Sequence, residues 1–148
     1  MIQDDLLAAI HDRLLDGTDW QDLDNNDYVN RALSNAHAPY IVLTIQSNTG
    51  NHHLDKDRFE VVVNVHVFVE ANSTSIADPF ERLQSIKRYA YGNAVENGGS
   101  PTYGLHRWKP TLDSAAWEAT SMVCVDEVNN DEENYYHRTL VFRVNVSK

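Results

Sequence analysis

Several groupings in this 148-residue chain carry side chains capable of chemistry. His52-His53-Leu54-Asp55-Lys56-Asp57 sets two imidazoles beside two carboxylates, the donor types a divalent cation takes. Zinc needs three or four convergent ligands. Adjacent histidines in a polar stretch beside Gly50 do not predict convergence, and the segment reads as a solvated loop tip. Asp22-Leu23-Asp24-Asn25-Asn26-Asp27 follows the opening of a calcium loop and then departs from it. Its sixth position is Asp27 where the sharp turn needs Gly, and its twelfth is Leu33 where a bidentate Glu closes the shell. Cys124 is the only cysteine, so no disulfide can form within one chain. Its setting, Met122-Val123-Cys124-Val125, predicts a buried, unreactive thiol rather than a nucleophile. Trp108, in His106-Arg107-Trp108-Lys109-Pro110, joins an aromatic face to cations, as base-stacking surfaces do. In so acidic a chain a packed tryptophan at a strand end is the expected reading.

His66, beside Asn64 in an alternating segment, is expected to be half-buried and hydrogen-bonded. His11, His37, His106 and His137 have no paired spacing. The chain contains no Gly-x-Ser-x-Gly and no glycine loop suited to phosphate. The sequence therefore predicts no catalytic residues, no metal ligands, no cofactor and no enzymatic activity.

The formal net charge is −10, from 22 acidic and 12 basic residues. A DNA-backbone binder needs a basic stripe to release counterions, and an anionic membrane surface would repel such a chain. Lysine occurs only at positions 56, 87, 109 and 148, and Asp outnumbers Glu, a bias compatible with a high-salt environment as well as with an ordinary acidic protein. No apolar run approaches the 18 or so residues of a membrane span. Met1-Ile2-Gln3-Asp4-Asp5 lacks the positive start of a secretory signal, so assembly and residence in a cytoplasm are expected.

The elements that must position these residues follow from periodicity. Leu6, Leu7, Ile10 and Leu14 make one stripe of a helix over 2–15, with Asp4 and Asp5 favoured in its first turn. Residues 18–38 read as a polar turn cluster with one short helical turn over 28–33. Tyr40 to Gln46 is a continuously apolar strand, followed by a polar loop over 47–57. From Phe59 to Glu70 the chain alternates strictly. Phe59, Val61, Val63, Val65, Val67 and Val69 share one face, which must be the core face. Asp78-Pro79 with Glu81 caps a second helix that Gly98-Gly99 would stop. An irregular strand over 103–112, broken at Gly104, is followed by a hairpin: Trp117 to Val128, a turn over 129–134, then Tyr135 to Val146. The chain is thus expected to be one α+β domain over 1–148, with a mixed, mainly antiparallel sheet and two main helices packed against it.

Three stretches carry a resemblance that spans nearly the whole chain. The Asp5-Leu6-Leu7-Ala8-Ala9-Ile10 helix leads to Ala38-Pro39-Tyr40-Ile41-Val42-Leu43; Phe59 to Phe68 is followed by the helix at Asp78; and Trp117-Glu118-Ala119 leads through Tyr136 to Val144. In this order they resemble the tail terminator, or tail completion, proteins of long-tailed viruses, whose first strand is similarly Pro-Tyr-aliphatic. The resemblance implies a virion structural protein of the tail and neck region, assembled in the host cytoplasm. Such a protein forms a homo-hexameric ring that caps the tail tube, ends its elongation and forms part of the head-tail joint. The implied partners are other copies of the chain, the tail tube protein and head-tail connector proteins. DNA would pass through an acidic lumen without specific binding. A tube or subunit contact is expected from the loop Asn48, Thr49, Gly50, Asn51, His52, His53, Leu54, Asp55 and Lys56. Another head-tail connector, a neck or stopper protein, shares the architecture. A small ligand-binding α+β domain is the reading from a different class.

Overall fold

In a computed structural model the described residues are 2–15, 27–29, 40–50, 58–70, 79–92, 104–113 and 116–147. They form α1 (Ile2–Leu15), β1 (Asp27–Val29), β2 (Tyr40–Gly50), β3 (Arg58–Glu70), α2 (Pro79–Tyr91), β4 (Glu118–Ala119), β5 (Val123–Asn129) and β6 (Tyr135–Ser147). The order in the sheet is β1-β2-β3-β6-β4, and β5 also pairs with β6. Among the described residues only the β1–β2 pair is parallel; the other pairs are antiparallel. The expected α+β class, with two helices on a mainly antiparallel sheet, is the observed one.

Strict alternation makes β3 the centre. Its valines at 61, 63, 65, 67 and 69 are all buried, and each contributes about 1.5 kcal/mol or more to the hydrophobic term. Leu140, Phe142, Val144 and Val146 of β6 and Ile41 and Leu43 of β2 extend the same face. Leu6, Ile10 and Leu14 of α1 and Leu83, Ile86 and Ala90 of α2 close over it. The helices are also joined directly. Tyr89 Oη donates 3.1 Å to the carbonyl of Leu14, which satisfies one of the acceptors α1 leaves open at its end.

Several boundaries differ from those the sequence suggests. The polar residues Ser47–Gly50 continue β2, because a bulge between Ile45 and Ser47 resets its register against β3. Asp27–Val29 is a strand rather than the start of a helical turn, and Gln21–Asn26 and Asn30–Ala38 lie outside the described residues. The described part of α2 ends at Tyr91 rather than near Gly98, with Gly92 at φ 103° and its amide 2.8 Å from the Arg88 carbonyl. Ala94, Gly98 and Gly99 are outside the described residues.

The expected strand after Gly104 is instead a turn over 104–107 followed by ladder-free chain. That turn closes the end of α2. Leu105 N reaches Ala90 O at 3.0 Å and His106 N reaches Tyr91 O at 2.7 Å. The strand expected over 117–128 is split into β4 and β5, because Met122 turns into the core between them. Thr120 bridges the gap: its amide donates 2.8 Å to Asn145 O, and its Oγ1 accepts from Asn145 N at 3.0 Å.

Candidate functional site

With the core and both helices on one face, the even-numbered residues of β3 occupy the other. Register sets their neighbours. Tyr40, Phe68 and His137 form one row across β2, β3 and β6, and Val42, His66 and Thr139 form the next, extended to Val128 of β5. Thr44, Asn64, Val141 and Asp126 form the third. Asp126 is the only charged side chain in those three rows, a contrast with the −10 of the chain. At the β5 end the face turns outward, with Val123, Val125 and Val128 exposed by 44, 46 and 37%.

The centre of this face is a polar and aromatic cluster. The Tyr40 and Phe68 rings stack at 4.9 Å and the Phe68 and His137 rings at 4.1 Å. His66 Nδ1 lies 3.1 Å from His137 Nε2, and Thr139 Oγ1 lies 3.1 Å from His66 Nδ1 and 3.3 Å from His137 Nε2. Thr44 Oγ1 sits 3.1 Å from His66 Nε2. Burial lowers the pKa of His66, and the nearby His137 lowers it further. Burial also lowers that of His137, outweighing the opposing pull of Glu132 and Asp131. Both imidazoles are therefore neutral at pH 7. Asn64 Oδ1 is buried on the same face and has no hydrogen-bond partner among the described residues. His66 is half-buried and hydrogen-bonded, as its mid-strand position suggests. His137 is the residue that spacing does not reveal, because only the β3–β6 register brings it to His66.

Asp131, in the turn before β6, organises the near end of the cluster. Its Oδ1 accepts from the His137 amide at 3.0 Å and pairs with the Arg138 guanidinium. Arg138 is almost wholly buried on the core-facing side of β6, so Asp131 is its counter-charge.

The remaining chemistry-bearing residues lie apart from the cluster. Cys124 is half-buried rather than fully buried. Burial raises its thiol pKa, which disfavours the thiolate. It lines a groove of about 380 Å³ between α2 and β5, across which Lys87 Nζ meets Glu127 Oε1 at 2.8 Å. His106 stacks on Tyr91 at 4.5 Å, and its Nδ1 accepts from the Cys124 amide at 3.0 Å. Trp108 packs partly buried against the core, with the Arg13 guanidinium 5.4 Å from its ring centre.

Of the loop expected to make contacts, Asn48, Thr49 and Gly50 pair with Val61, Glu60 and Phe59 and so are strand. Asn51, His52, His53, Leu54, Asp55 and Lys56 lie outside the described residues, as does the acidic cluster over 22–26. Among the described residues no group of three His, Cys, Asp or Glu side chains is placed to hold a metal ion, and no helix is long and apolar enough to cross a membrane.

No family model and no curated protein matches this sequence. Fifteen solved chains match the fold. One of them, whose name states no function, is 13% identical with a TM-score of 0.60, over 100% of this chain and 97% of that one. At that identity the likeness concerns the fold alone.

Proposed function

We propose that this chain is a virion structural protein of long-tailed viruses, a tail terminator that caps the tail tube, ends its elongation and contributes to the head-tail joint as a hexameric ring. The reading rests on the resemblance of its three sequence stretches to that family. The observation that carries it structurally is the contrast between the two sheet faces. One is sealed by α1 and α2. The other carries half-buried Tyr40, His66, Phe68 and His137 beside the buried Val42 and Thr139 at its centre, and exposed valines at its β5 end.

A chain of formal charge −10 repels its own copies over most of its surface. The exposed Val123, Val125 and Val128 at the β5 end, near the mutually paired Glu60 and Arg143, are where copies can meet at lower cost. A ring of such subunits keeps its acidic residues for solvent and lumen, over which DNA slides rather than sticks.

The test is co-assembly with tail tube protein, read by electron microscopy and light scattering. Tubes that stop growing with this chain at one end, and a native mass six times 16.8 kDa, support the reading. Tubes that elongate unchecked beside a monomer at every concentration overturn it. A chain that binds connector proteins but never tube ends is the neck or stopper alternative.

A further inference from the structure

Strand β5 has two unlike sides, and its pairing with β6 sets them. Cys124 lies opposite Phe142 and Glu127 opposite Leu140, both core residues, so these two point to the side of α2. Val123 lies opposite Arg143, Asp126 opposite Val141 and Val128 opposite Thr139, so these three point to the other side. The bulge between Cys124 and Asp126 leaves Val125 without a partner on β6 and switches the alternation there.

The side away from α2 is apolar and uncovered. Val123, Val125 and Val128 are the exposed large apolar side chains among the described residues, and all belong to this one strand. Single exposed apolar residues need no explanation, but a group gathered on one short strand does. The α2 side is instead hollow. A groove of about 380 Å³ is floored by Tyr91, Cys124 and Leu140 and rimmed by Lys87, Arg88 and Glu127. Lys87 and Glu127 neutralise each other across it. Arg88 is exposed on the rim and has no acidic partner among the described residues; Asp126, exposed among the valines, has no basic one.

We propose that the groove between α2 and β5 seats the valine side of β5 from a second copy of this chain, with the second copy's Asp126 set against Arg88. Apolar side chains then meet an apolar floor, and the unpaired anion meets the unpaired cation. Because the valines and the groove lie on opposite sides of one strand, the contact runs front to back. A two-fold pair presents the same patch twice, so this contact does not close at two copies; it closes as a ring or continues as a filament. The inference deepens the ring reading and rests on it for closure, while the contact itself needs no tail tube.

The test uses the full chain at about 0.15 M salt, where charges beyond about 8 Å are screened and contact pairs are still felt. Light scattering across concentration should show the wild type assembling beyond two copies. Val128→Asp should raise the concentration needed by at least about tenfold. Arg88→Glu and Asp126→Arg, each checked for fold by circular dichroism, should stay monomeric alone and assemble when mixed in equal amounts, since mixing restores the opposite charges only between copies. In the wild type, maleimide labelling of Cys124, the chain's one thiol, should slow as assembly fills the groove. A monomer at every concentration, a mass that stops at two copies, a mixture that stays monomeric, or unchanged labelling in the assembled wild type overturns the contact. Tubes that elongate unchecked beside a rescued assembly overturn the terminator reading and leave the contact standing. Capped tubes with no rescue in the mixture do the reverse.

Discussion

His106 has to be neutral to do its structural work, since only an unprotonated Nδ1 can accept from the Cys124 amide. Burial lowers its pKa from the ordinary 6.5, and the Arg107 charge adds to that. The unfolded chain therefore binds more protons than the folded one at this residue as pH falls through 6.5. The stabilisation is full above that value, declines below it, and levels off under the lowered folded pKa. His106→Asn offers Oδ1 in place of Nδ1 without titrating. Melting curves between pH 8 and 5.5 should fall less steeply for that variant than for the wild type. Gly104 makes a different demand. Its φ is +79°, and a Cβ there would lie 2.3 Å from Gly92 Cα and 2.6 Å from Tyr89 O, both backbone contacts that no rotamer relieves. Gly104→Ala should cost about 3 kcal/mol or more by urea denaturation and should loosen the end of α2. Asp131→Ala leaves the buried Arg138 without its counter-charge, with an expected loss of about 2–3 kcal/mol by the same measurement.

At the scale of elements, β3 and β6 are the structural axis, paired without interruption from Arg58↔Ser147 to Glu70↔Tyr135. Phe142 is wholly buried where that pair meets the helices, so Phe142→Ala should cost about 3–5 kcal/mol, measured as a fall in the denaturation midpoint. Both strands, and the helices over 2–15 and from 79, were legible because their apolar spacing is strict. What was not legible depends on register or on backbone detail. Ser47 to Gly50 look like loop by composition, and only the Ile45/Ser47 bulge lets them pair. Met122 looks like one more strand residue, but it turns inward and splits the strand in two. His137 reads as an isolated histidine until the register lays Thr139 beside His66. The observed strand boundary also decides how the expected contact loop is tested. Removing residues 51–56, and keeping Asn48 to Gly50 in β2, should preserve the monomer fold by circular dichroism while abolishing tube docking. Normal docking would remove the loop from the contact surface.

For the whole molecule the order of assembly is constrained by where the central strand finds its partners. β2 lies just ahead of β3 in the chain, but β6 is the last element. The valine face of β3 is complete by residue 70, and its second neighbour begins only at residue 135. At a synthesis rate of roughly 5–20 residues per second, that interval lasts about 3–13 s. Throughout it the nascent chain holds a long apolar strand with one open edge, the kind of surface that chaperones bind and that neighbouring nascent chains can pair with. A chain truncated before Tyr135 should remain in this condition indefinitely. Co-expression with a chaperone should therefore raise soluble yield most for variants that delay β6, and the yield of this protein is set by the time its last thirteen-residue strand takes to arrive.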